Sequence, residues 1–354
     1  MVEATSKANG GDAVATDVAA AGKARAKRGI RFRYARYVAR RLLQAVPIIV
    51  VIVLINFTLI QAAPGDPVYA LIGQMETTPE YIAQVREEFG LDEPLPQQFL
   101  SYIAKIATFD LGYSFRFRQD VSGLIFERVP ATFLLMGTAL VISSLLGIGL
   151  GVIAGRRPFG WTDNAATIFA LAGFSMPVFW LGQLVLLVFA LKLPWFPVQG
   201  MVSLRAPSHG WGYIASVLHH LVLPATVYGI YHLTLIFRMT RIKMMDVLVQ
   251  DFITTARSKG AGERRVLFVH ALPNAILPVI TVIGYNFGFM LAGSVLVETV
   301  FGWPGLGRLM YEAINARDYP LLLGLFVVIS LFVIIANVLT DIIYALIDPR
   351  ILYR

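Results

Sequence analysis

Long runs without a charged side chain alternate along this chain with basic, polar or proline-rich stretches. Six of these runs cover Leu42–Ala63, Ala131–Gly155, Asn164–Leu191, His219–Phe237, Ala271–Val297 and Tyr319–Thr340. Each is long enough to cross a hydrocarbon core about 30 Å thick, which takes about 20 helical residues. Backbone polar groups must be paired inside lipid, so the pattern predicts six helices. The runs show no alternation of apolar and polar positions, which argues against a β-barrel.

Composition agrees. Of 354 residues, 57% are hydrophobic and 15% charged, and the mean hydropathy is +0.68. A soluble domain carries roughly 25% charged residues. The formal charge of +8 is topological rather than a sign of nucleic-acid binding. With the N-terminus placed inside, 21 of the 30 Lys and Arg fall on the inner side: in residues 1–41, at Arg156 and Arg157, in residues 238–273, and after residue 341. Thirteen of the 22 acidic residues fall on the other side. Basic residues concentrate on the cytoplasmic side of membrane proteins, so both termini are expected in the cytoplasm. There is no cysteine, hence no disulfide framework and no thiolate chemistry.

Residues 1–35, rich in Ala, Gly, Lys and Arg, read as a disordered basic cytoplasmic tail. The first run begins late and is too long for a signal-peptide core, so it reads as a retained helix. Arg40 and Arg41 are placed where lipid phosphates would hold them. Gly147, Gly151 and Gly155 recur every fourth residue, giving the second helix a flat stripe for close packing. Pro177, Pro224 and Pro278 are expected to bend spans or cap broken ones. Asn56, Gln183, Asn286 and Asn337 either line a solute path or bond between helices. Ser175 and Met176, beside Pro177, join Asn286 and Asn337 as pathway or gate candidates.

Residues 64–130 form a long external, periplasmic segment opening with Pro64-Gly65-Asp66-Pro67, which ends the first helix and forces a turn. Leu95, Phe99, Tyr102, Ile103 and Ile106 follow helical spacing and predict a short amphipathic helix. The segment is a docking surface for an external partner or a cap over helix ends. Between the last two runs, the glycines and proline of 302–307 make a tight turn. There Phe301, Trp303 and Leu306 act as membrane-interface anchors, as an apolar plug or as a gate lip.

The most informative stretch is the cytoplasmic loop 241–270, above all Asp251-Phe-Ile-Thr-Thr-Ala256-Arg-Ser-Lys-Gly260-Ala-Gly-Glu-Arg-Arg265 and its continuation to Pro273. Asp251 is expected to cap a short helix ending near Lys259. Gly260 ends that helix, and Gly262 permits a reversal into a second short one. Ala256, Gly260 and Ala261 allow another protein to approach closely, and Arg257, Lys259, Arg264 and Arg265 offer charge for orientation. His270 reads as a helix cap or docking residue.

This stretch resembles the coupling motif of ABC importer permeases, summarised as EAA, three residues, Gly, nine residues and Ile-x-Leu-Pro. The matching positions are Thr254, Thr255, Ala256, Gly260, His270, Leu272 and Pro273. The Thr and His replacements resemble the dipeptide/oligopeptide permease B-type branch. So do Pro64 to Pro67, Gly90-Leu91-Asp92, Asp110-Leu111-Gly112, Ser175-Met176-Pro177, Glu298 to Gly307 and Asp348-Pro349-Arg350. The likeness covers about residues 36–350.

What the resemblance implies is an all-α integral membrane protein of the type I ABC importer permease kind, with six transmembrane helices and a cytoplasmic coupling helix. It would pair with a C-type permease subunit, two ABC ATPase subunits and a periplasmic or lipid-anchored substrate-binding protein, and would move dipeptides, oligopeptides or related solutes. Thr255, Ala256, Arg257, Lys259, Gly260, Ala261 and Arg264 would form the ATPase-docking elbow. The chain has no Gly-x4-Gly-Lys-Ser/Thr loop, so ATP and Mg would be used by the partner subunits. No spacing of His with carboxylates suggests a metal site or a catalytic one. The competing reading is a secondary transporter driven by an ion gradient, for which Asp341, near the inner end of the last run, is the acidic candidate.

Overall fold

The computed structural model describes residues 36, 38–59, 61, 68, 78–88, 92–114 and 116–347. The basic tail, the Pro64-Gly65-Asp66-Pro67 turn, Gly90-Leu91 and the terminal Asp348-Pro349-Arg350 lie outside the described residues.

Among the described residues, five helices are individually long and apolar enough to cross a membrane: α1 (Val38–Leu59), α4 (Val121–Arg156), α7 (Trp211–Leu248), the helix running Glu263–Met290, and the last, Tyr319–Ile343 within Tyr319–Ile347. A further pair, α5 (Trp161–Ser175) with α6 (Val178–Lys192), bent by 104° where they meet, is apolar and long enough only when taken together, and counted as one span it makes six. The break expected at Pro177 is therefore present in the third apolar run. Pro177 is the reason: it stands at the N-cap of α6, where its fixed φ and missing N–H end one helix and start another. Pro224 and Pro278 instead sit inside helices that continue through them.

Helix α7 is the centre of the bundle. Of its most apolar stretch 72% is buried, against 17% for α1 and 28% for α4. The largest helix–helix contact joins it to α4, along the glycine stripe that the spacing predicts. A Cβ on Gly147 would lie 2.8 Å from Ile236, one on Gly151 2.5 Å from Thr240, and one on Gly155 2.7 Å from Met244. Glycine at these three turns lets the two backbones approach more closely than any side chain permits. Gly229 of α7 returns the contact against Ile142 and Ala139 of α4.

The external region is more structured than a connection. Helix α2 (Pro79–Glu88) precedes the expected amphipathic helix, α3 (Leu95–Ala107). Phe99 meets Phe57 of α1 edge-on at 5.3 Å, and Gln61 donates to Gln98 at 2.7 Å, so α3 is seated on the end of α1. A short antiparallel ribbon, β1 (Tyr113–Ser114) and β2 (Gln119–Asp120), then leads directly into α4. The Ser114 hydroxyl donates to the carboxylate of Asp318 at the start of the last helix.

Between the last two spans lie α10 (Val295–Val300) and α11 (Leu306–Ala316), with α12 (Tyr319–Ile347) completing the chain. Here burial decides between two of the expected readings. Phe301, Trp303 and Leu306 are at most 3% exposed, so they form a plug inside the protein rather than anchors at the lipid surface. The Trp303 indole N–H donates to the Ala131 carbonyl at 2.8 Å, which gives its polar edge a partner inside the bundle.

Candidate functional site

Helix α7 ends at Leu248, and after a two-residue turn the chain enters α8 (Asp251–Ser258). Asp251 does not cap this helix: Gln250 holds the N-cap position, and no side chain bonds there. Asp251 is the first helical residue, where its negative charge still complements the helix dipole.

The far end of α8 is a Schellman motif. The N–H of Gly260 donates to the Arg257 carbonyl at 2.9 Å, and the N–H of Ala261 to the Ala256 carbonyl at 3.1 Å. This pair of bonds needs a left-handed residue after the helix, and Gly260 has φ +81°. An added Cβ at Gly260 would meet nothing within 4 Å. The glycine is thus required by backbone geometry within this chain, and its outer face is open.

Beyond Gly262 the expected second short helix is not separate. Glu263–Arg265 starts a helix that passes through a π-helical stretch, Val266–Ala271, straight into α9 (Leu272–Gly293). The elbow is therefore continuous with a span. His270 lies inside this helix and is not a cap; its carbonyl accepts from Asn274 at 2.7 Å.

Two features fix the elbow to the bundle, and sequence reasoning passed over both. Ile253 is fully buried with Val152, Met244, Val247, Val266, Leu267, Ala271 and Ala275. One apolar residue on the inner face of α8 ties it to α4, α7 and the start of α9. Its signal was an aliphatic side chain in an otherwise largely polar short helix. Glu263 accepts from Arg257 at 3.2 Å and lies 3.9 Å from Arg156 at the end of α4. Arg257, expected to orient a partner, thus has a partner within the chain. Thr255 uses its hydroxyl on the Asp251 carbonyl at 3.0 Å. Lys259, Arg264 and Arg265 remain on the exposed side with Thr254 and Gly260, while Ala256 and Ala261 are half-buried. The arrangement is a rigid protrusion, basic outside and apolar inside.

The pathway candidates do not form one cluster. Asn286 is 1% exposed and donates to the His232 carbonyl at 3.2 Å, which is an interhelical bond. Asn56 is likewise buried, facing the Leu323 carbonyl. Asn337 packs at Gly288 but is exposed on its other side, as is Gln183. Ser175 and Met176 sit at the 104° bend between α5 and α6, Ser175 exposed.

Charges inside the helices proved informative. Asp341 pairs with Arg41 across α12 and α1 at 3.1 Å, so Arg41 is held by protein at that point. The acid that the charge-free runs excluded, Asp163, lies in the first turn of α5, 1% exposed, and takes two bonds from Arg241 of α7. At the opposite end, Glu298 is fully buried. It accepts from the Thr132 hydroxyl at 2.8 Å and the Arg308 N–H at 3.0 Å. Burial pushes its carboxyl above the usual value, and bonds from Arg308, Thr132, Ser294 and Gly307 oppose that rise. These bonds hold the plug turn closed.

A sequence profile described as "Binding-protein-dependent transport system inner membrane component" matches residues 147–353, and its N-terminal companion matches residues 34–136. The di/tripeptide transport system permease protein DppB of Pseudomonas aeruginosa (strain UCBPP-PA14) is 39% identical over 332 residues, 90% of this chain and 99% of that one. The oligopeptide transport system permease protein AppB of Bacillus subtilis (strain 168) is 38% identical over 320 residues, 90% of this chain and 100% of that one. Among solved structures, a chain of the inward-facing MetNI methionine ABC transporter aligns with a TM-score of 0.51 at 16% identity, over 64% of this chain and 96% of that one. This last likeness is one of fold.

Proposed function

The chain belongs to the family of binding-protein-dependent transport system inner membrane components, and from that premise we propose that it is a peptide importer's channel subunit, worked through the elbow at Gly260. It is a multi-pass inner-membrane permease of an ATP-driven importer, and peptide-sized solutes are supported by the names of its relatives. The partners in this reading are a second permease subunit, two ATPase subunits that use ATP and Mg, and an external substrate-binding protein. Both termini and the elbow lie in the cytoplasm, a placement supported by the excess of Lys and Arg on that side.

One observation carries the mechanism. Helix α8 is locked by a Schellman turn, pinned by Ile253 and continuous with α9, so a push on its exposed basic face moves a span as a rigid body. A flexible loop would absorb the same push. Thr255, Ala256, Lys259, Gly260, Ala261 and Arg264 form the contact with the ATPase, while Arg257 keeps the elbow closed on Glu263. The plug around Trp303 and the bend at Pro177 are the parts of the path that such motion rearranges.

The test is uptake of a labelled tripeptide into proteoliposomes holding this chain with its partner subunits and binding protein. Uptake should require hydrolysable ATP. Uptake driven by a proton or sodium gradient without ATP would overturn the reading in favour of a secondary transporter. Asp341, the acid on which that alternative rested, is paired with Arg41 at 3.1 Å.

A further inference from the structure

A groove of about 380 Å³ opens between α5 and α7, and neither the elbow nor the plug uses it. Its two ends differ in chemistry. At one end lie Asn164 and the Asp163–Arg241 pair, with Arg238 one turn further in; at the other lie Ala170 and Leu171. The helices run in opposite directions, as the Arg241–Asp163 and Thr234–Ala170 bonds show. The polar end is therefore at the start of α5, and the apolar end is deeper along the span.

The position of this polar end is marked by its neighbours. Phe159 and Trp161, 81% and 83% exposed, stand next to Arg156 and Arg157 at the turn between α4 and α5. Exposed aromatics beside Arg are the pattern of a membrane–water interface. Within the groove, Asp163 is neutralised by Arg241. Arg238 is exposed and makes no hydrogen bond or ion pair among the described residues. The polar half of the groove thus carries one uncompensated positive charge.

We propose that this groove seats one anionic phospholipid, with its phosphate on Arg238 and Asn164 and an acyl chain lying inward along Leu171. A cation and an amide at headgroup depth, with an apolar wall leading into the bilayer, match the two halves of such a molecule. The site does not depend on which solute the transporter carries.

Native mass spectrometry of the intact transporter, purified through this chain in mild detergent, tests the assignment with phosphatidylglycerol and phosphatidylcholine as probes. One phosphatidylglycerol should be retained about fivefold over phosphatidylcholine, the preference that one surface cation supplies. Arg238→Gln should abolish that preference, Asn164→Leu should weaken it, and Arg205→Gln, an exposed cation elsewhere, should leave it intact. Equal retention of the two lipids, or an unchanged preference in Arg238→Gln, overturns the proposal. So does displacement of the lipid by millimolar inorganic phosphate, which would make this a site for free anions. Absence of any bound lipid from the intact transporter would show that a partner subunit covers the groove, and would also overturn it.

Discussion

Arg241 donates two hydrogen bonds to the carboxylate of Asp163, at 2.5 and 2.7 Å, joining α7 to the first turn of α5. The Arg241 guanidinium also lies over the Phe159 ring, 5.9 Å from its centre. The Asp163 side chain is 2% accessible and that of Arg241 22%, so the guanidinium reaches the groove while the carboxylate beneath depends on it for hydrogen bonds.

Arg241→Met should therefore destabilise the chain by about 1–3 kcal/mol, the cost of leaving the Asp163 carboxylate without its donors. The double variant Asp163→Asn/Arg241→Met should recover part of that loss. Apparent melting temperatures of the purified proteins in one detergent decide the matter. A single variant as stable as the unaltered chain would show that the pair contributes nothing.

The glycine stripe predicts a contrast within one helix. Gly151→Ala forces a methyl group against Thr240, where the built Cβ lies 2.5 Å away, and overpacking of this kind costs about 1–3 kcal/mol. At Gly149 the same addition meets nothing within 4 Å, so Gly149→Ala should be neutral or gain up to about 1 kcal/mol from helix propensity. Thermal shifts of similar size for the two variants would remove close packing as the role of the stripe.

Gly260→Val should leave the spans folded but impair coupling. A left-handed backbone costs a residue with a side chain about 1–2 kcal/mol, a factor of about 5–30 in the population of the formed elbow. ATP-dependent peptide uptake should fall within that range while expression and oligomer size stay unchanged. Gly260→Asn, better suited to the left-handed region, should retain more uptake than Gly260→Val. Equal uptake by all three proteins would sever the elbow from the transport cycle.

Glu298→Gln tests the plug. Glu298 accepts from the Thr132 hydroxyl and the Arg308 N–H, and an amide would turn an NH₂ group toward one of these donors. Leaving a buried donor unsatisfied costs about 1–3 kcal/mol. Faster proteolysis within residues 298–308 and a lower melting temperature are expected. An unchanged protease pattern would mean that Trp303 and its neighbours hold the turn without help.

Much of this protein was open to reading from its residues in order. A span in lipid must satisfy its own backbone, so apolar length alone predicts the helices. Gly147, Gly151 and Gly155 share a face by the helical period alone. The elbow was equally legible, because the left-handed turn at Gly260 is a local property of a glycine following a helix. Asp251 failed as a cap for a reason equally local: the helix starts one residue earlier, and helix ends are the least sharply determined feature of any pattern.

What the sequence by itself determined is thus the set of spans, the stripe and the turn, each governed by interactions within a few residues. Tertiary structure alone decided that Trp303 is a buried plug, that Ile253 pins α8, that Arg257 and Arg156 converge on Glu263, and that Arg241 reaches Asp163. These relationships join residues as far apart as Ala131 and Trp303. Their partners are selected by how the helices pack, and no periodicity along a single segment carries that information.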